Sequence, residues 1–199
     1  MKLDEYETVF YTEPTGILAA ENAVLAELIL TCEPRGKRLL DLGCGCGYWT
    51  ERLRDQAAIV TAVDRSSIAL DSCRAKISDV RFVQLTGANL PFARGAFELV
   101  LLSWVLQEVC SDDELATLRD EIVRVLVSGG RLVVAENLYP DARRRIRCSR
   151  SGDIFADATG RTALRFFADN TTTQLFAGLT LGERRLVGHS FFEVYEKRA

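Results

Sequence analysis

No stretch of this chain approaches the roughly 18 uninterrupted apolar residues that a membrane-crossing helix requires. Its start, Met1-Lys2-Leu3-Asp4-Glu5, is acidic and lacks the apolar centre of a secretion signal. A single histidine, His189, excludes a histidine-rich metal site. The six cysteines (Cys32, Cys44, Cys46, Cys73, Cys110 and Cys148) lack the paired C-x-x-C spacing of zinc sites. Scattered thiols of this kind fit structural roles in a reducing compartment, so the expected location is cytoplasmic. Basic charge is not in excess either. A net charge of −3 argues against a protein held to nucleic acid mainly by electrostatics. Internal repeats and low-complexity tracts are absent from the sequence.

What is present is a globular composition, 48% hydrophobic and 27% charged. A length of 199 residues suffices for one well-buried core and is short for two ordinary domains. The expected organisation is a single domain over 1–199, with an N-terminal helical cap over 1–36 and a variable, substrate-side segment over 138–160.

Helical spacing of Leu18, Val24, Leu25, Leu28 and Ile29 predicts a helix over Ile17–Leu30, stopped by Pro34 and Gly36. Lys37–Leu42 reads as strand one and Tyr48–Arg54 as a helix. Ile59–Val63 reads as a buried strand ending at Asp64, with Ser66 or Ser67 capping a helix to about Ile77. Val80–Leu85 and Phe97–Ser103 are the third and fourth strands. Ser111–Glu114 is a capping box opening a helix to about Val127, and Gly129-Gly130 turns the chain into a strand over Arg131–Glu136. Thr171–Leu179 looks helical. After Gly182, strands near Arg184–Val187 and Phe191–Glu196 flank the short Gly188-His189-Ser190 turn, so they pair antiparallel.

The chemistry concentrates at Asp41-x-Gly43-x-Gly45-x-Gly47. Open α/β sheets bind ligands at the carboxyl ends of their strands, beside helix N-termini. A dinucleotide turn needs a third glycine three residues after the second, and that position is Tyr48. Asp64, 23 residues after Asp41, ends the neighbouring strand, where a carboxylate can accept hydrogen bonds from both hydroxyls of a ribose. An ordinary strand-to-helix turn and a helix-capping acid are the plainer readings of the same residues.

The glycine turn resembles motif I of class I S-adenosylmethionine-dependent methyltransferases. Four further stretches share the resemblance. Thr86-Gly87-Ala88-Asn89-Leu90-Pro91-Phe92 is similar to the family's G-D-A-x-x-L-P-F loop, with Thr86 standing where the acid is usual. Ser103–Glu108 resembles the segment that lines both pockets. Gly129-Gly130 precedes strand five, with Ser128 in place of the usual proline. Tyr6, Phe10, Thr12, Gly16 and Glu21 resemble an N-terminal segment packed over the cofactor cleft. The resemblance covers about Tyr6 to Glu196.

It implies an α/β fold, a three-layer Rossmann-like seven-stranded sheet, mostly parallel with an antiparallel terminal strand. It implies S-adenosyl-L-methionine as cofactor, held by Asp41, Gly43, Cys44, Gly45, Gly47, Asp64, Arg65, Thr86, Gly87, Ala88, Ser103 and Trp104. The implied reaction is in-line methyl transfer to a small-molecule acceptor, with no metal. The alternatives are a protein or peptide N-methyltransferase and a non-catalytic cofactor-binding partner protein. No catalytic residue is assigned, although Glu108 or Tyr11 can serve as base if either reaches the cleft. The tract Arg143–Arg150, with five arginines in eight residues, reads either as a clamp for an anionic substrate or as a solvated face. His189 reads as structural.

Overall fold

The computed structural model describes residues 16–85, 87–138, 145–147, 153–156, 163–167 and 171–198. Helix α1 (Gly16–Thr31) leads into β1 (Arg38–Leu42), α2 (Tyr48–Leu53), β2 (Ile59–Asp64), α3 (Ser67–Lys76) and β3 (Arg81–Gln84). Then follow β4 (Phe97–Ser103), a 3-10 turn (Leu106–Glu108), α4 (Asp112–Val125) and β5 (Leu126–Asn137). Short strands β6 (Arg145–Arg147), β7 (Asp153–Ala156) and β8 (Ala163–Phe166) precede α5 (Thr171–Leu175), β9 (Thr180–Val187) and β10 (Ser190–Glu196).

Seven strands form one sheet in the order β3-β2-β1-β4-β5-β10-β9. The pairs from β3 through β5 are parallel, and β10 alone runs antiparallel to both neighbours. The chain order reverses between β1 and β4, so their carboxyl ends flank the crevice where such sheets take ligands.

Alternation along each strand feeds two cores. Leu40, Leu42, Val100, Leu102 and Val134 face Leu115, Leu118, Ile122 and Val125 of α4. Leu39, Val60, Leu99, Leu101 and Val133 face Leu25, Leu28 and Ile29 of α1 and Trp49 and Leu53 of α2. The helices start where their caps dictate. Ser66 Oγ accepts from the Ala69 N–H at 3.1 Å, and Ser111 Oγ accepts from the Glu114 N–H at 3.3 Å.

The Leu90-Pro91-Phe92 loop is fastened from α4. Glu121 accepts the Leu90 N–H at 2.8 Å, while Arg124 donates to the carbonyls of Leu90 and Phe92 at 2.9 and 2.7 Å. Phe92 meets Phe97 edge to face, with ring centres 5.0 Å apart.

Three elements differ from the sequence expectation. β5 opens at Leu126 and runs through Gly129-Gly130, because Leu126 pairs with Phe97 across an irregularity before the regular ladder resumes at Arg131. β9 begins at Thr180 and carries Gly182 within it, since Leu181 and Thr180 pair with Tyr195 and Glu196 beyond a bulge in the β10 ladder. The helix expected to Leu179 stops at Leu175.

The variable segment over 138–160 contains β6 and β7, which with β8 beyond it form a second sheet, β6-β7-β8, antiparallel throughout. It is anchored by Arg165, which is fully buried. Its guanidinium donates to the carbonyls of Val109 and Cys110 at 2.7 and 3.0 Å and to Asp112 Oδ1 at 2.8 Å. Arg165→Ala strips donors from two carbonyls at once and lowers stability by about 2–4 kcal/mol in urea denaturation. Asp112→Ala removes a carboxylate that is itself 48% exposed and leaves the Arg165 guanidinium its two carbonyl acceptors, so it costs about 1 kcal/mol or less.

Candidate functional site

Asp64 ends β2, and Asp41 is the last residue but one of its parallel neighbour β1, at the same edge of the sheet. The chain after Asp41 needs left-handed backbone three times in five residues: φ is +78° at Gly43, +52° at Gly45 and +89° at Gly47. Only glycine takes such angles without penalty. Gly43 is also tightly overlaid, for a Cβ placed there would lie 2.4 Å from Cγ2 of Val105.

The turn is wired to β2. The N–H groups of Gly43 and Cys44 donate to the Val63 carbonyl at 2.7 and 2.9 Å. The Gly45 N–H donates to Asp64 Oδ2 at 2.8 Å, and Asp64 Oδ1 accepts the Ser66 N–H at 2.8 Å. Each carboxylate oxygen keeps a further lone pair, and Asp64 is only half-buried. It therefore retains acceptor capacity toward the crevice.

Asp41 is fully buried below the glycines. Its Oδ2 accepts the Thr50 hydroxyl at 2.6 Å, while Oδ1 has no hydrogen-bond partner. Burial pushes its carboxyl up to about 6; the Asp64 charge adds to this, and the Thr50 hydroxyl opposes it.

The expected cysteines fill space. Cys44, Cys46 and Cys73 are buried, and Cys73 donates its thiol to the Gly45 carbonyl at 3.3 Å. The Cys73 hydrogen bond and burial hold the Cys44 thiol well above the ordinary range, which suits packing and not nucleophilic chemistry. Among the described residues no group of three or more metal-ligating side chains occurs.

Across the crevice, Ser103 ends β4 half-buried, and Trp104 has φ +56°, a costly angle for a bulky residue. The Trp104 N–H donates to Ala135 O at 2.7 Å. Its ring meets Phe192 edge to face at 6.2 Å and joins the core under α1. Trp104, expected among the cofactor-holding residues, thus has its ring engaged by the protein. Arg65 is exposed and lies 3.7 Å from Glu114 of α4. Gly87 has open space where a Cβ would stand, and Ala88 is buried in the main core. Thr86, Tyr11 and the other N-terminal residues through 12 lie outside the described residues, as do the side chains of Arg143–Arg150. His189 is exposed in the turn before β10, and its carbonyl accepts the Leu138 N–H at 2.7 Å.

Glu108 is exposed overall, yet partial desolvation of its carboxyl raises its pKa. Arg65 opposes that shift and Asp64 adds to it, so the three groups share one neighbourhood.

Sequence reasoning named the Ser103–Glu108 segment without singling out Val105, and it missed Glu136. Glu136 is fully buried near the end of β5, and its Oε1 accepts the Leu106 N–H at 2.5 Å. Burial pushes its carboxyl up to about 8, with the turn's N–H groups opposing and Glu108 adding. A signal was present, because Val133-Val134-Ala135-Glu136 repeats the pattern of β1 and β2, an apolar run closed by an acid. Nearby, Ser190 Oγ lies 2.7 Å from Glu21 Oε1 of α1 and 3.0 Å from Asn137 Oδ1, and Asn137 Nδ2 donates to Gln107 Oε1 at 2.9 Å.

Residues 40–134 match the methyltransferase domain family. Over that stretch the chain is similar to methyltransferase domains. The demethylmenaquinone methyltransferase of Lactococcus lactis is 34% identical over 113 residues, covering 53% of this chain and 44% of that relative. The chain thus spans less than half the length of that curated relative. Among solved structures, the PH0226 protein of Pyrococcus horikoshii superposes with a TM-score of 0.76 at 21% identity, covering 98% of this chain and 99% of that one. The Burkholderia thailandensis 1,6-didemethyltoxoflavin-N1-methyltransferase, solved with 1,6-didemethyltoxoflavin and S-adenosylhomocysteine, gives 0.74 at 20% identity, covering 99% and 85%. The chain accordingly has the Rossmann-like fold expected from its motifs, a seven-stranded sheet with one antiparallel member.

Proposed function

We propose that the chain is an enzyme that transfers a methyl group from S-adenosyl-L-methionine to a small-molecule acceptor. The observation that carries this reading is the hydrogen bond from the Gly45 N–H to Asp64, which joins the glycine turn to the acid ending β2. That bond holds the two parts of an adenosyl-amino-acid site in fixed relation.

The residues present fit that cofactor. Asp64 keeps acceptor capacity for a ribose diol, and the partnerless Asp41 Oδ1 beneath the glycines suits the neighbourhood of an ammonium. Gly43 and Gly45 carry no side chain to keep a ligand from the main chain. Gly87 and Ala88, with Thr86, are the residues for adenine; Arg65, Ser103 and Trp104 complete the surround. When bound, the cofactor supplies an activated methyl on a sulfonium. The protein's part is to bind, orient and exclude water, so that in-line displacement needs positioning more than a dedicated base. The small-molecule class is supported by the names of the relatives, a quinone-precursor methyltransferase in one case and a toxoflavin-precursor methyltransferase in another.

Titration calorimetry with S-adenosylmethionine, S-adenosylhomocysteine and NAD tests the cofactor; binding of NAD with no heat from the adenosyl ligands overturns the reading. Asp64→Ala weakens S-adenosylhomocysteine by about 1–3 kcal/mol through the lost ribose hydrogen bonds. Transfer of labelled methyl into metabolite fractions and not into peptides is the expected outcome. Label in peptides only moves the acceptor class to protein, and tight binding without transfer into either leaves a binding protein.

A further inference from the structure

A carboxyl group sealed in the interior of an apolar sheet is costly unless the surrounding backbone needs it. Glu136 meets that condition. Its side chain is fully buried on β5, between β4 and β10, and its Oε1 accepts the Leu106 N–H at 2.5 Å. A side chain of β5 therefore serves as acceptor for a turn thirty residues earlier in the chain. Its other oxygen, Oε2, has no hydrogen-bond partner.

The turn so held is not relaxed. It opens at Trp104 with φ +56°, and a non-glycine residue stays in that region only when its surroundings enforce it. It carries Val105, whose methyl groups occupy the space above Gly43. Its far end is fixed by Asn137, the residue after Glu136, through the amide of Gln107. β5 thus grips this turn at two adjacent residues, and the turn in turn covers the glycine motif.

We propose, on the methyltransferase reading above, that Glu136 is a positioning residue for the cofactor. By accepting the backbone N–H of Leu106, it holds the adjoining Val105 against Gly43 and sets the wall of the site over the glycine turn. Glu136 touches no reacting atom in this role and acts through the turn alone.

The test is calorimetric titration of S-adenosylhomocysteine into wild type, Glu136→Ala and Glu136→Gln, with circular dichroism to verify folding. Glu136→Ala raises Kd by about tenfold or more, because the Leu106 N–H at the centre of the turn loses its acceptor. Glu136→Gln keeps an oxygen for the Leu106 N–H and recovers most of that loss. A second readout needs no ligand. In a Trp49→Phe background Trp104 is the sole tryptophan; there Glu136→Ala shifts its emission to longer wavelength, and Glu136→Gln does not. Should Glu136→Ala fail to fold, Val105→Ala reports on the same wall without disturbing the buried carboxyl, and weakens binding in the same direction. Wild-type affinity in a folded Glu136→Ala or, failing that, in Val105→Ala overturns the proposal, as does a Glu136→Gln as weak as Glu136→Ala. In those cases wild type still binds and the methyltransferase reading stands. Absence of binding by wild type itself removes that reading, and the positioning role with it.

Discussion

Gly43→Ala costs about 2–5 kcal/mol of stability and most of the affinity for adenosyl ligands. Two separate penalties add at this residue. Its φ of +78° charges any L-residue with the left-handed conformation, about 1–2 kcal/mol. The new methyl would also lie 2.4 Å from Cγ2 and 3.2 Å from Cγ1 of Val105, so one of the two segments must shift. Val105 cannot yield cheaply, because its turn is fixed through Glu136 and through the Trp104 N–H bond to Ala135. The glycine turn is fixed as well, by Val63 and Asp64. Urea denaturation and calorimetry measure the two losses. The double variant Gly43→Ala, Val105→Ala removes the steric part and keeps only the left-handed cost, about 1–2 kcal/mol. A single variant as stable as wild type would mean that Val105 does not sit on the turn.

Stability falls as pH rises from about 4 to about 8, and Glu136→Gln flattens most of that slope. The sign follows from burial. The folded Glu136 carboxyl is raised to about 8 against an unfolded value near 4.5, so the folded state holds its proton more tightly. The stabilisation is complete below about pH 4.5 and is lost as pH rises through about 8. Asp41, raised to about 6 from 3.8, acts in the same direction over the lower part of the range. Each contributes on the order of a few kcal/mol, since both are fully buried and solvent screens neither. Glu98 and Glu121 are shifted downward by Arg38 and Arg124 and lose their contribution only at more acidic pH. Urea midpoints at half-unit steps from pH 5 to 8.5 separate the groups. Glu136→Gln retains a slope confined to the region below about 6, which is that of Asp41. A wild-type profile flat from 6 to 8 would show that Glu136 is ionised in the fold.

The parts of the site that were legible are those whose chemistry is local. Asp41-x-Gly43-x-Gly45-x-Gly47 announces itself because backbone angles near +50° to +90° demand glycine whatever lies around them. Asp64 was legible because an acid closing a β-branched run must stand at a sheet edge. Ser66 and Ser111 were legible because a cap is a contact over three residues. The Leu90-Pro91-Phe92 loop was recognisable as a motif, but its fastening by Glu121 and Arg124 spans more than thirty residues and leaves no local mark. The same limit hid the second sheet. β6, β7 and β8 are three- and four-residue strands, too short to show a period, and they stand because Arg165 ties β8 to the carbonyls before α4.

The sequence by itself determined the strand order's ingredients, the glycine turn, the two acids at the tips of β1 and β2, and hence the class of ligand the crevice suits. Side-chain type and near-neighbour spacing carry that information, because strand period, caps and glycine angles are local physics. Tertiary structure alone decided that Val105 closes over Gly43 and that a third acid, Glu136, lies buried beneath the turn bearing it. It also turned the Trp104 ring toward Phe192. Those relations join segments 30 to nearly 90 residues apart, and only the packed sheet brings them within contact distance.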